Sequence, residues 1–228
     1  MADKPKFWEK YTNAYDKIMS HYYGHQALVE EHLKRLKGCS IVLESGCGPG
    51  HLTKRLLEEG HRVYAVDVNL SALNLLKKRC GNNPNLITEC IDANNLPYKN
   101  NYFDAVSSML VLWAIEKPER YLIEIRRILK QKGILVLSGP GPETRVSVNL
   151  QLKKIEENLR SQGLFPKIRK NWALFLEYTA KNVSNTAEHW FSHEDIRRLL
   201  ERTGFKVSSI NSNPVYCNQG HIVVAIKI

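Results

Sequence analysis

Three features of the chain predict an α/β fold, a doubly wound and mainly parallel sheet of seven strands with helices on both faces. Short apolar runs alternate with helix-like segments from residue 40 onward, one run enters a glycine-rich turn that opens a helix, and the last two runs are joined without a helix. A length of 228 residues suits one domain with a full core, so residues 1–228 are read as a single unit. Within it, residues 1–38 form an N-terminal helical cap and residues 139–190 a helical insertion between the fifth and sixth strands.

The elements follow in order. Tyr11, Tyr15, Ile18 and Tyr22 fall on one face of a helix, read as an amphipathic element laid across the sheet. Five strand candidates come next, at 40–43, 62–66, 86–88, 105–108 and 134–137, each short and apolar enough to be buried. Before the fifth, Pro118 fits a first helical position, Leu122, Ile125, Ile128 and Leu129 recur at helical spacing, and Gly133 stands just past the end. The insertion holds two predicted helices, 146–160 and 171–181, and a segment of this length placed there is expected to form a lid over a site. Ser192 and Asp195 read as a capping box, Ile196, Leu199 and Leu200 as the buried stripe of that helix, and Gly204 as its left-handed terminator. The final strand candidates, 206–210 and 222–226, are linked closely enough to pair antiparallel as a hairpin.

Composition narrows the class. Hydrophobic residues make up 43% and charged residues 25%, the range of a globular protein, and no apolar run approaches membrane-spanning length. A soluble, cytoplasmic protein with no membrane association is expected. The 5 cysteines are odd in number and lack Cys-x-x-Cys spacing, which argues against structural disulfides and a structural metal. The net charge of +10 would suit RNA, yet the basic residues are scattered over the polar faces of predicted helices, so a solvated surface is favoured over a nucleic-acid track. Oligomeric state is left open.

The chemistry starts at Glu44-Ser45-Gly46-Cys47-Gly48-Pro49-Gly50, where an apolar strand meets a helix. Glycines there let the backbone turn tightly and let a ligand approach with no Cβ in the way. A dinucleotide fingerprint would want Gly or Ala where His51 stands, and a P-loop would want Gly-Lys-Ser/Thr, so neither pyrophosphate nor triphosphate is favoured. Glu44 at the mouth of the turn would repel phosphate and attract a nucleoside carrying an ammonium and a sulfonium. Asp67 ends the second strand, followed by Val68, and is placed to accept both ribose hydroxyls; the plainer reading of such an acid is a helix cap. Asp92 follows the third strand and can accept from an adenine amino group while the Ala93 N–H meets the ring; here the plainer reading is a polar loop.

These motifs, together with Leu96-Pro97-Tyr98, Phe103-Asp104 and Ile128-Leu129-Lys130-x-x-Gly133, resemble the class I S-adenosylmethionine-dependent methyltransferases, in particular the small-molecule group (methyltransferase type 11) that includes the ubiquinone and menaquinone enzymes. The resemblance covers residues 40–139, with a weaker echo in 191–207. It implies a strand order 3-2-1-4-5-7-6 with strand 7 antiparallel, S-adenosyl-L-methionine as cofactor, and S-adenosyl-L-homocysteine as product. The cofactor set is then Tyr11, Glu44, Ser45, Gly46, Cys47, Gly48, Asp67, Val68, Asp92, Ala93, Ser108 and Met109, with Ser108 and Met109 acting through their backbone. Many members carry histidine where Trp113-Ala114 stands, which puts a histidine base there in doubt and suggests an apolar or cation–π wall.

No catalytic side chain is assigned, because an in-line displacement of a sulfonium needs a base only if the acceptor enters with its proton. Pocket candidates are Tyr15, Tyr22, His25, Trp113, Arg145, His189 and Trp190, of which Arg145 would suit a substrate carboxylate. For most of them simple packing is the plainer reading. The expected function is methyl transfer to a small-molecule acceptor; the alternatives are a tRNA methyltransferase and a non-catalytic, cofactor-binding partner subunit of the same fold. The sequence names neither the acceptor nor the methylated atom.

Overall fold

The computed structural model describes residues 4–179, 189–213, 215 and 217–228. Two helices come first, α1 (Lys4–Met19) and α2 (Tyr23–Arg35). The chain then alternates through β1 (Ile41–Ser45), α3 (His51–Glu58), β2 (Arg62–Asp67), α4 (Leu70–Cys80), β3 (Leu86–Cys90), β4 (Phe103–Met109), a 3-10 turn (Leu112–Ala114), α5 (Pro118–Ile128) and β5 (Leu129–Gly139). Then follow α6 (Thr144–Ser161), α7 (Phe165–Tyr178), α8 (His193–Arg202), β6 (Phe205–Asn213) and β7 (Gly220–Lys227). The sheet has seven strands in the order β3-β2-β1-β4-β5-β7-β6. Strands β1 to β5 pair in parallel, and β7 runs antiparallel to both β5 and β6, so the sheet order and the terminal hairpin are as expected.

Successive strand residues feed opposite faces, because side chains alternate across a pleated strand. Val42, Val63, Ala65, Ala105 and Val136 join the core under α2, α3 and α4. Their neighbours Leu43, Val66, Val106, Leu135 and Leu137 join the core under α5 and α8. With both faces covered, the central strands read as mostly apolar runs. One polar pin crosses the first core: His32 of α2 is buried with Nδ1 2.9 Å from Ser107 Oγ and Nε2 2.9 Å from Ser138 Oγ. Among the described residues no helix is long and apolar enough to cross a membrane.

Local signals placed several boundaries well. Pro118 opens α5, and Ser192 caps α8 in a reciprocal capping box with Asp195. Three expectations need correction. The N-terminal stripe is broken: Tyr11, Tyr15 and Ile18 lie in α1, which ends at Met19, Ser20 donates its hydroxyl to the Asp16 carbonyl (2.7 Å), and Tyr22 is extended just before α2. The Tyr22 ring then folds over Gly24, where a Cβ would come within 2.6 Å of it. Helix α7 starts at Phe165, earlier than expected, because Pro166 is accepted in its first turn; residues 180 and 181 of the predicted helix lie outside the described residues. Gly133 terminates no helix. It lies within β5, where Lys132 takes φ 61° and the register with β4 shifts, and a Cβ on Gly133 would sit 2.7 Å from the Lys130 carbonyl.

Candidate active site

At the carboxyl end of β1 the chain turns back onto β2, with Gly46 N and Cys47 N donating to Val66 O at 2.8 and 3.0 Å. Three glycines make that turn with positive φ, 71° at Gly46, 52° at Gly48 and 81° at Gly50, but they are required for different reasons. A Cβ on Gly46 would lie 2.3 Å from Val111 Cγ2, and one on Gly50 2.6 Å from Leu76 Cγ. A Cβ on Gly48 would meet nothing within 4 Å. Gly46 and Gly50 are thus packing glycines, whereas Gly48 keeps open the side of the turn that faces a cavity.

Asp67 secures the turn from β2. Its Oδ2 accepts from Gly48 N (2.8 Å) and its Oδ1 from Asn69 N (2.9 Å). Burial pushes its carboxyl above the ordinary carboxylate range, and the amide donors of Asn69 and Gly48 partly counter this. Asn69 caps α4 by accepting from Ser71 N, and its Nδ2 donates to Thr12 Oγ1 (2.7 Å) of α1. A second tie holds α1 down: Asp16 pairs with Arg79 of α4, and His51 Nε2 of α3 lies 3.1 Å from Asp16 Oδ1. The first helix is therefore clamped over the turn.

The cavity has a volume of ≈ 490 Å³ and takes walls from the turn, the ends of β2, β3 and β4, α1, and the insertion helices α6 and α7. Of the residues expected at a site, Tyr11, Tyr15, Gly46, Gly48, Asp67, Val68, Asp92, Ala93, Met109, Trp113 and Trp190 line it. Asp92 Oδ1 accepts from Asn94 N (2.9 Å) and Asn94 Nδ2 (2.8 Å), which fixes the loop after β3. Beyond Met109, Leu110 is held at φ 62° and its carbonyl accepts from Trp113 Nε1 (2.9 Å). Non-glycine residues in that conformation persist where their surroundings impose it, commonly at functional sites.

Known proteins of the same fold include many methyltransferases. A family model described as a methyltransferase domain matches residues 43–137, from β1 to the end of β5. The seven-stranded fold is that of the solved methyltransferases it superposes on. Curated relatives include an uncharacterised methyltransferase of Schizosaccharomyces pombe, 26% identical over 75% of this chain and 68% of the relative. The mitochondrial arginine-hydroxylase NDUFAF5 of Danio rerio is 27% identical over 78% of this chain and 49% of its own length, so the chain spans about half of that relative. The demethylmenaquinone methyltransferase of Tropheryma whipplei is 25% identical over 74% of this chain and 67% of the relative. Among solved structures, the methyltransferase in complex with the Haloferax volcanii Trm112 activator superposes with TM-score 0.72 at 14% identity, covering 98% of this chain and 96% of that one. Magnesium protoporphyrin IX methyltransferase of Synechocystis, with bound S-adenosylhomocysteine, gives 0.61 at 22% identity, covering 90% and 84%.

Several residues expected at a cofactor site do not line the cavity. Glu44 is buried one layer below, its Oε2 accepting from Thr53 Oγ1 of α3 (2.5 Å), and burial pushes its carboxyl up to about 8. It faces α3 because Leu43, its neighbour in β1, takes the opposite face. Ser45 and Ser108 are buried toward α5, each with its Oγ 2.9 Å from the Tyr121 hydroxyl, so their side chains do not meet the cavity. Cys47 is buried beside Glu44 and Asp67, and burial raises its thiol well above its usual value.

The remaining pocket candidates separate in the same way. Tyr22 is buried at the α1–α2 junction, outside the lining. His25 is buried in α2 with its ring 4.9 Å from that of His51 and 6.0 Å from that of Tyr15, and neither ring nitrogen finds a partner. His189 donates its backbone N–H to Trp113 O (3.3 Å) and stacks on Phe191 at 5.4 Å, outside the cavity. Arg145 lies in α6, and its side chain is outside what the structure describes.

Other wall residues were not foreseen, among them Thr12, Asn69, Glu116, Gln151, Phe175 and Thr179. Only Asn69 carried a local signal, as an Asn two residues before Ser71 at a helix start; the rest come from elements far apart in sequence. Phe175 stacks on Tyr11 (5.5 Å, 20°) and on Trp172 (5.7 Å, 21°), joining α7 to α1 across the cavity roof.

Proposed function

We propose that the protein transfers a methyl group from S-adenosylmethionine to a small-molecule acceptor. The observation that carries the proposal is the continuity of one cavity from Gly48, Asp67 and Asp92 at the sheet edge to Trp113, Phe175 and Trp190 under α6 and α7. Its volume of ≈ 490 Å³ is within the ordinary range for small-molecule sites. The residues fit the cofactor. Gly48 leaves its cradle free of a Cβ, Asp67 retains lone pairs for the ribose hydroxyls, and Asp92 with the Ala93 N–H suits the adenine edge. When bound, S-adenosylmethionine supplies a methyl group activated by its sulfonium, which departs as S-adenosylhomocysteine.

The chain's own part is to orient and to exclude water. Tyr11, Tyr15 and Met19 of α1, clamped through Thr12 and Asp16, close one side, and Ile155 and Phe175 close the other. Holding two reactants in one apolar enclosure supplies several kcal/mol of a displacement barrier without a catalytic side chain. Glu44 acts below the turn: burial holds its proton, and a cation above it would favour release.

The test is calorimetry with S-adenosylhomocysteine on the wild type and Asp67→Ala, followed by transfer of labelled methyl to a panel of small acceptors. Loss of a charge-assisted ribose contact weakens binding by about tenfold or more. Equal affinity in the two proteins would reduce Asp67 to a structural cap and remove the proposal's footing. A second reading, work alongside a small activator subunit, is suggested by the Haloferax volcanii neighbour, which matches 98% of this chain and was solved in such a complex. Full turnover by the isolated chain would set it aside.

A further inference from the structure

On the methyltransferase reading the acceptor occupies the part of the cavity that the cofactor leaves free, its outer half, and the ionisable groups described along the cavity are all acidic. Among the described lining residues there is no Lys, Arg or His; the ionisable side chains are Asp67, Asp92, Glu116 and the phenols of Tyr11 and Tyr15. This is so in a chain whose net charge is +10. Asp67 and Asp92 belong to the cofactor half, which leaves Glu116 as the acid of the acceptor half. It follows the 3-10 turn that carries Trp113 and is exposed, at the rim of the cavity.

Aromatic walls complete the outer half: Trp113, Phe175 and Trp190. Phe175 is fixed between Tyr11 and Trp172 by stacking, and the Trp113 indole N–H is given to Leu110 O (2.9 Å). An anion entering here would surrender hydration next to a carboxylate and the electron-rich faces of aromatic rings. A cation on a flat apolar body gains from both, through Coulomb attraction to the carboxylate and cation–π contact with the rings.

We propose that the acceptor is a flat, apolar molecule bearing a basic amine, recognised by Glu116 together with the Trp113, Phe175 and Trp190 rings, and that anionic acceptors are rejected. The statement concerns recognition and rests on the methyltransferase reading above.

The experiment is calorimetry on the full chain saturated with S-adenosylhomocysteine, using matched probes in which a phenyl, indolyl or naphthyl ring carries an ethylamine, an ethanol or an acetate. Each probe is tested on wild type, Glu116→Gln and Glu116→Lys. In at least one ring series the amine binds about tenfold tighter than the acetate, Glu116→Gln cuts that preference to about threefold or less, and Glu116→Lys inverts it. S-Adenosylhomocysteine affinity stays at the wild-type level in both variants. The inference is overturned if the acetates bind as well as the amines, if the preference survives in Glu116→Gln, or if no probe binds the loaded protein. A chain that takes up no S-adenosylhomocysteine fails the methyltransferase reading itself, and this inference with it.

Discussion

Alanine at Gly48 and alanine at Gly46 are the same chemical change two residues apart, and the geometry of the turn separates their consequences. Both positions have positive φ, 52° and 71°, so each substitution carries the strain of a left-handed L-residue, about 1–2 kcal/mol. At Gly48 that is the whole cost to folding, because the new methyl meets nothing within 4 Å. At Gly46 the methyl would lie 2.3 Å from Val111 Cγ2, and forcing a methyl into a packed site adds about 1–3 kcal/mol. For a chain of this size each kcal/mol lowers Tm by about 2–4 °C. Gly48→Ala should therefore melt only a few degrees below wild type, and Gly46→Ala about twice as far below. Ligand binding should rank them the other way: the Gly48 methyl protrudes into the cavity, so the folded variant loses more than about tenfold in S-adenosylhomocysteine affinity, comparable to a bond and a few contacts removed. Thermal melts without ligand, then calorimetry on the folded protein, read the two effects apart. Wild-type affinity in Gly48→Ala would show that nothing approaches the turn there, and equal stability in the two variants would refute the Val111 contact as the reason for Gly46.

Four further outcomes are expected. Glu44 has its carboxyl pushed up to about 8 by burial against a usual 4.5, so the wild type loses stability as pH rises through that window. Glu44→Gln, which keeps an acceptor for Thr53, should gain on the wild type from pH 5 to 8 by at most about 5 kcal/mol and then level off, as urea melts across pH would show. His32, held down to about 3 by burial, contributes stability that is present above its unfolded value near 6.5 and is lost as pH falls toward 3; in His32→Leu that component of acid sensitivity disappears. The same variant strands the hydroxyls of Ser107 and Ser138, at a cost of about 2–4 kcal/mol at pH 7 in denaturant titrations. Asp16→Ala releases α1 from Arg79 and His51, and hydrogen exchange should report faster α1 amides together with weaker S-adenosylhomocysteine binding, whereas protection at the wild-type level would place the clamp elsewhere.

Much of this architecture was written locally. The glycine turn, the capping box at Ser192 and Asp195, and Pro118 at the head of α5 each arise from the backbone needs of a few consecutive residues, so they could be read without knowing what lies opposite. Alternating runs and helices were enough to predict the seven strands, because the central strands, covered on both faces, are mostly apolar and the edge strands keep short apolar runs. The break between α1 and α2 escaped, since a tyrosine at helical spacing looks the same whether it continues a helix or stands extended just past its end.

The sequence by itself determined most of the backbone segments that would be strand, turn or helix, and placed Asp67 and Asp92 at or just past strand ends. Only the tertiary structure decided that Glu44 lies under the turn, that Asn69 and Thr12 join across 2.7 Å, and that Phe175 and Glu116 share one cavity with Gly48. The reason is the range of the interactions. Torsional preference and periodicity act between near neighbours along the chain, whereas a cavity wall is set by which side chains are left facing the same space after distant helices have packed.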